Sequence, residues 1–518
     1  MPIRFVAGFI LVWVVLSGSA AFSEGALAIH TRGQIETSQW VAPEKINTDL
    51  DAPVSDRAFT YVHKTLLWNP AKTAVVIVDL WDQSQAPRVG RRMDELAPNI
   101  NEAARAAREK GLLVVHAPGG VTEYYKDTPQ RARCLEVEPV ALVAMEEGPA
   151  LPVDASDNGW EGPVRADKPQ SRQHPAIEIA EGDAIGEEAE VYGLLKKRGI
   201  ENVILMGVHA NFALLDGPTG IRQMKAQGLN VVLVRDLTDS RYNPEKAPRV
   251  SHIRGTELVV DHLEQLGCPT IDSTDLTGKP AFRFTEDTRP HLAMIVSDDH
   301  YHADKTLPEF ARVLREAEGI HVSMLHGEGG HSIPGMENLA TADAVLVFVR
   351  RLGLPSGQLK LLRDFVASGK PVIGLRTASH AIKLKNKPDG SYEVPDGTAE
   401  WGGFDAEVLG GSYTGHEANE IGADISNLPI DHPILKGVEP AAWHSLGSLY
   451  NTGATAGDAL RLQEGSIPGV TEAVTWIREA APGRGKVFYT SLGHPADFRE
   501  PAFRQLLVNA VKWSVGTL

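Results

Sequence analysis

The sequence predicts an α/β protein made of two tandem three-layer α/β/α domains, each built on a mostly parallel sheet. Three observations carry this expectation. At 518 residues the chain is too long for a single ordinary hydrophobic core. Short apolar runs alternate with helix-length segments, the pattern of parallel strands joined by helical crossovers. That alternation lapses within the first half, between Cys134 and about Gln173, and again over 269–290, after which it restarts.

The elements follow in order. Arg4, an apolar run from Phe5 to Leu16 and the small residues Ser17 to Ala21 have the layout of a signal peptide over 1–21, with removal near Ala20 or Ala21. The run is shorter than the roughly 20 apolar residues of a membrane span. The expected destination is export, periplasmic or secreted, with no membrane attachment after signal removal. Residues 22–69 are mostly polar and read as a leader with one edge element at Phe59–Val62. A first domain is expected over 70–268, with strands at Thr73–Val78, Leu112–His116, Val203–Gly207 and Val231–Val234 and a helix near Ile100–Lys110. Between Cys134 and Gln173, around Trp160, the pattern gives way to Pro, Gly and acidic residues, as a lid or inserted loop would.

Turn-forming residues at Asp272–Asp275 and Thr277–Pro280 mark 269–290 as a linker. The second domain, 291–518, is expected to hold strands at His291–Val296, His321–Leu325, Ala344–Val349 and Pro371–Leu375, with helices at Pro308–Glu318 and Gln358–Ser368. Phe503, Leu506, Leu507, Ala510, Val511 and Trp513 form an apolar stripe at helical spacing and define its last helix.

A net charge of −16 and a pI near 5.6 argue against a duplex nucleic-acid partner, which needs basic residues to replace phosphate counterions. The expected partner is a small molecule. Cys134 and Cys268 are the only cysteines, so no disulfide framework follows, and whether these two pair is left open.

In the first domain Asp79 stands at the carboxyl end of the Thr73–Val78 strand, where open α/β sheets bind ligands. A helix cap or loop carboxylate is the plainer role for it. From about Thr73 to Gly267 the chain resembles the isochorismatase-like cysteine hydrolases, which open with such a strand and Asp. A second matching stretch runs from Val203-Ile204-Leu205-Met206-Gly207-Val208 to Ala213, where the family carries Gly-Val-x-Thr-Asn-x-Cys. The resemblance implies catalysis by Asp, Lys and Cys. Here Ala213 takes the nucleophile's position and Ala210 that of the Thr, and no lysine lies between Lys168 and Lys196. Alanine cannot attack a carbonyl. Three rescues are conceivable: Cys134 folding in from the lid, Asp216 acting one turn later, or His209 serving as a metal ligand.

In the second domain Pro371–Ala381 runs from a strand through a sharp turn toward an expected helix, the place where class I glutamine amidotransferases carry a catalytic Cys. No cysteine follows Cys268, which excludes thiol-dependent glutamine hydrolysis there. Gly374 to His380, Asp431–Leu435 with Gly437-Val438, Ser448–Tyr450 and above all Gly485–His494 are similar to the ThuA-like proteins. That family has a flavodoxin-like, amidotransferase-like fold without the Cys and is associated with sugar utilisation. His380 and Ser379 are the expected catalytic residues of this domain, beside Asp79 in the first. Arg376, His302, His416, His494 and Asp298 are expected to bind the ligand.

A helix-capping role for Ser379, a turn role for His432 and solvated loop roles for His300 and His302 compete with these assignments. No cofactor is identified. Histidines and acids at one sheet edge are compatible with a divalent metal, although no His-Glu-x-x-His spacing occurs. Relatives of both domains often self-associate, which makes a homo-oligomer an expectation of the resemblance.

Three functions remain: a carbohydrate-related protein working through the second domain, a hydrolase of small amides or vinyl ethers working through Asp79, and a noncatalytic binding or scaffold protein. Any enzyme activity is expected to be hydrolase-like or sugar-modifying.

Overall fold

The computed structural model describes residues 25–39, 57–159, 168–298, 300–327, 331–385, 394–419 and 421–518. The expected signal peptide and Trp160 lie outside the described residues. Among those described, no helix is long and apolar enough to cross a membrane.

The first domain is an eight-stranded sheet. Its strands are β1 (Leu27–Glu36), β2 (Phe59–Trp68), β3 (Thr73–Val78), β4 (Leu113–Ala117), β5 (Ala184–Ile185), β6 (Asn202–Val208), β7 (Asn230–Asp239) and β8 (Thr270–Ile271), in the order β2-β1-β8-β7-β6-β3-β4-β5. From β8 to β5 every pairing is parallel. β3 and β6 are buried along their whole length, as continuous Val/Ile/Leu runs predict for strands covered on both faces. The helices α1 (Pro87–Glu109), α2 (Pro129–Leu135), α3 (Ala189–Lys197), α4 (Ala213–Asp216), α5 (Ile221–Ala226), α6 (His252–Gln265) and α7 (Thr274–Thr277) complete the domain. Leu96, Ile100 and Ala104 of α1 fill one side of the sheet, while Leu194, Met224 and Leu263 fill the other.

Two expectations are corrected here. The supposed leader is not a loose segment with one edge element: β1 and β2 pair antiparallel over ten residues, and Arg32 opposite Thr270 joins them to the sheet. The alternation was hidden because inward positions of β1 include Thr31 and Gln34, buried polar groups held by hydrogen bonds to Lys64 and Glu264. The supposed linker also begins too early, since 270–277 supplies β8 and α7 to the first domain.

The second domain continues with β9 (His291–Ser297), β10 (His321–His326), β11 (Ala344–Val349), β12 (Leu354–Pro355), β13 (Val372–Leu375), β14 (Thr398–Ala399), β15 (Gly415–His416), β16 (Ala423–Asn427), β17 (Ala442–Ser445), β18 (Tyr450–Asn451), β19 (Ala459–Ile467), β20 (Val470–Arg478) and β21 (Val487–Thr490). Its nine-stranded sheet runs β10-β9-β11-β13-β21-β20-β19-β16-β17. The first five strands are parallel, and the rest extend the sheet antiparallel. Helices α8 (Ala303–Ala317) and α10 (Pro501–Val515) cover one face and α9 (Ser356–Ala367) the other. The stripe from Phe503 to Trp513 is buried, as its spacing predicts. The elbow after β13 does not lead into a long helix; it is a single tight turn, Arg376–His380.

The β1–β2 hairpin also joins the domains. Tyr61 donates to Asp261 at 2.8 Å and accepts from Arg315 of α8 at 2.7 Å, and Arg312 lies 4.5 Å over its ring.

Cys134 and Cys268 are buried free thiols, so the bridge left open in the sequence is not formed. A Cβ at Gly186 would stand 2.6 Å from the Cys134 sulfur. Gly186→Ala should therefore destabilise the first domain by about 1–3 kcal/mol through overpacking. An unchanged urea midpoint would contradict that contact.

Candidate functional site

Strand carboxyl ends gather the candidate residues in both domains, and at several of them the backbone is strained. The described non-glycine residues with left-handed φ include Asp79 (51°), His302 (51°), Arg351 (52°) and Arg376 (42°), each following a parallel strand. Such conformations cost about 1–3 kcal/mol each and persist where the surroundings impose them, which is characteristic of working sites.

In the first domain the Gly119 N–H donates to Asp79 Oδ1 at 2.9 Å. A side chain at 119 would place its Cβ 2.8 Å from that oxygen, so the approach needs glycine. Burial pushes the Asp79 carboxyl up to about 7; the Gly119 hydrogen bond opposes the rise and the neighbouring Glu187 adds to it. Glu187 follows β5 and accepts from Gly120 N and Thr122 Oγ1, both at 2.9 Å. Among the described residues the charged neighbour of Asp79 is thus a second carboxylate rather than an ammonium group. Ala213 opens α4, just beyond β6, which pairs directly with β3.

Neither Cys134 nor Asp216 is an activated nucleophile, and His209 belongs to no described group of three metal-ligating side chains. Cys134 is buried in α2, where desolvation pushes its thiol up to about 12. Asp216 pairs with Arg222 at the surface. Burial brings His209 down to about 4.

A carboxyl raised by burial works against the fold when it ionises. Stability should fall as pH rises from the unfolded value, about 4, toward 7. Asp79→Asn keeps the acceptor without the charge, so it should raise the melting temperature at pH 8 and leave it nearly unchanged at pH 4. Equal effects at both values would show that Asp79 is not held in its neutral form.

The second domain contains a cavity of about 250 Å³. Its walls come from the ends of four adjacent parallel strands: His300 and Tyr301 after β9, Arg350 and Arg351 after β11, Arg376 and His380 after β13, and His494 after β21. The small β15–β18 ribbon closes one side with His416 and Tyr450, and Tyr413 precedes it. Lys385, Asn419, Leu446 and Ser448 complete the lining.

Arg376 is 1% exposed and lies between two aromatic faces, 4.1 Å from the Tyr301 centroid and 4.5 Å from that of Tyr450. It donates to the Ser491 carbonyl at 2.8 Å and, over longer distances, to Ser448. Burial, with Arg351, Arg350 and Arg376 adding their charges, brings His380 down to about 3, so it is neutral at physiological pH. Burial likewise lowers His494 to about 4. Tyr450 donates to Tyr301 at 3.4 Å. Burial opposes ionisation of Tyr301, but Arg376 and that hydrogen bond outweigh it and bring the phenol below its ordinary value. Burial holds Tyr450 well above its own.

The cavity therefore unites Arg376, His380, His416 and His494 from the sequence candidates and leaves three others outside its walls. Asp298 is buried beneath it, accepting from the His300 and Tyr301 N–H groups and from Thr377 Oγ1, and so fixes the loop that carries Tyr301. Ser379 neither caps a helix nor lines the cavity; its buried hydroxyl donates to the Arg376 carbonyl at 3.2 Å. His302 is buried at the head of α8.

Sequence reasoning missed Tyr301, Arg350, Arg351, Lys385, Tyr413 and Tyr450 as site residues. The Arg350-Arg351 pair was open to discovery, since it directly follows a legible strand. Among the described residues no group of three His, Cys, Asp or Glu side chains is placed to hold a metal ion. Three arginines around His380 also disfavour a cation there.

The family model described as trehalose utilisation, ThuA, matches residues 293–514, and the isochorismatase domain model matches 73–275. Among solved structures, a ThuA-like protein from Bacteroides uniformis is 14% identical, with 46% of this chain and 95% of that one covered and a TM-score of 0.33. A cysteine hydrolase from Pseudomonas syringae pv. phaseolicola is 15% identical over 38% of this chain and 86% of its own, with a TM-score of 0.26. An isochorismatase family protein from Burkholderia thailandensis is 18% identical over 40% and 95%, with a TM-score of 0.25. A comparison with curated proteins finds no match. The chain is a tandem of an isochorismatase-like domain and a ThuA-like domain, in that order.

Proposed function

We propose that this is an exported, carbohydrate-related protein whose working site is the ThuA-domain cavity, and that its isochorismatase domain has lost cysteine-based hydrolysis. The observation that carries the reading is the convergence of neutral His380, the Tyr301–Tyr450 pair, His494 and Arg376 on one cavity at four strand ends. Phenols, neutral imidazoles and a guanidinium are the donors and acceptors that sugar hydroxyls require, and tyrosine faces suit the apolar side of a sugar ring. If a reaction occurs there, His380 and Tyr301 are the residues poised to move protons, and the reaction is hydrolytic or sugar-modifying.

Export is read from Arg4, the Phe5–Leu16 run and the small residues that follow. The ligand is a small molecule; nucleic acid and, after signal removal, membrane have no part in this reading, and self-association is compatible with it.

Calorimetric titration of the full chain with a panel of mono- and disaccharides tests the proposal. At least one should bind saturably, and a panel without any binder would refute it.

The retained strain and raised carboxyl at Asp79 favour a second reading, a hydrolase of small amides or vinyl ethers. Ala213→Cys decides between them. A thiol at the head of α4, in a sequence with no lysine between Lys168 and Lys196, lacks the family's cation to stabilise its thiolate, so the variant should remain inactive on amide and vinyl-ether substrates. Turnover by this single variant would favour the hydrolase.

A further inference from the structure

We infer that the ThuA-domain cavity selects an anionic carbohydrate, a sugar carrying a carboxylate or phosphate group, with Arg376, Arg351 and Lys385 as its counter-charges. This inference rests on the carbohydrate reading of the same cavity. The described lining contains Arg350, Arg351, Arg376 and Lys385 and no carboxylate.

Arg376 gives the sharpest evidence. Its guanidinium is almost fully buried, and its hydrogen bonds go to carbonyl and hydroxyl oxygens. Among the described residues its Nε has no hydrogen-bond partner and no carboxylate forms an ion pair with it. Asp497 acts on it electrostatically, but that carboxylate is occupied by Ser445 Oγ and by the Gly493 and His494 N–H groups. A buried cation without a counter-ion is costly, and proteins otherwise pair such charges. An anion delivered by the ligand supplies the missing partner.

Arg351 strengthens the same field. Its backbone is held at φ 52°, no described carboxylate pairs with it, and burial together with Arg350 weakens its hold on its proton. Lys385 is exposed at the cavity and likewise has no described acidic partner. Beyond the effect of burial, the further lowering of His380 by Arg351, Arg350 and Arg376 is a second readout of this positive potential. A volume of about 250 Å³ lies below the roughly 300–1,000 Å³ of pockets for drug-sized molecules, which points to a ligand of monosaccharide size.

The test is calorimetric titration of the full chain with glucose, glucuronate, glucose 6-phosphate and inorganic phosphate, and of Arg351→Gln and Lys385→Gln variants checked for fold by circular dichroism. Glucuronate or glucose 6-phosphate should bind at least about tenfold more tightly than glucose, and Arg351→Gln should remove about tenfold of that preference. Whichever anionic sugar wins identifies the group as carboxylate or phosphate. Raising salt on the unmodified protein should weaken the anionic sugars and spare glucose, a readout independent of any variant.

Equal affinity for glucose and both anionic sugars overturns this inference and leaves the carbohydrate reading standing. Inorganic phosphate matching glucose 6-phosphate also overturns it, because the sugar would then contribute nothing. Absence of binding by all three sugars refutes the carbohydrate reading itself.

Discussion

Asp239→Asn is expected to lower the unfolding free energy of the first domain by about 3–5 kcal/mol, the usual consequence of removing one partner from a buried ion pair. Asp239 ends β7 and is 1% exposed. Its oxygens accept from Arg92 Nε at 2.8 Å and Nη2 at 2.9 Å, and Oδ1 lies 2.8 Å from His252 Nε2. Arg92 is itself buried, 3.8 Å over the Phe284 ring, so the substitution removes its buried carboxylate partner and leaves it the more exposed Glu286.

Burial opposes ionisation of Asp239, but Arg92 and His252 outweigh it and hold the carboxyl well below its ordinary value. A depressed acid stabilises the fold above its unfolded value, near 3.9, and loses that contribution as pH falls toward the folded one. Chemical denaturation should therefore show a constant gap between wild type and variant from pH 8 to about 5, narrowing only below about 4. A variant that unfolds at the wild-type midpoint at pH 7 would show that the network contributes little.

Arg376→Met is expected to weaken the best sugar ligand roughly ten- to hundredfold, the share of one charged hydrogen-bonding group at about 1.5–3 kcal/mol. Its effect on stability should be small or even favourable, because replacing a buried charge by an apolar side chain of similar length removes a desolvation penalty. This split separates binding from folding. Affinity lost in step with melting temperature would mean that Arg376 serves the fold, through Ser491 and Ser448, rather than the ligand. Titration and thermal melting of one variant preparation provide both readings.

The tandem architecture was legible because its determinants are local. Val75 to Val78, Leu346 to Val349 and the Phe503–Trp513 stripe announce buried strands and a covering helix through composition and period alone. The β1–β2 hairpin was not legible, since its buried positions include polar groups satisfied by partners 200 or more residues away, such as Glu264 for Gln34 and Asp261 for Tyr61.

The site divides in the same way. Arg376, His380 and His494 stand at strand ends that periodicity exposes, and sequence reasoning nominated them. Tyr413 and Tyr450 reach the cavity through a two-residue ribbon whose pairing depends on tertiary contact. The surroundings of Ser379 were not legible, because a hydroxyl at a strand turn resembles a nucleophile or a cap, and only packing places it against the Arg376 carbonyl and 3.5 Å from His380 Nδ1.

The most direct test is a crystal structure of the full chain soaked with the tightest sugar of the panel. Ligand density between Tyr301, Tyr450, Arg376 and His380, with none beside Asp79 and Ala213, is the predicted result. Density beside Asp79 with the ThuA cavity empty would contradict the account and return the function to the first domain.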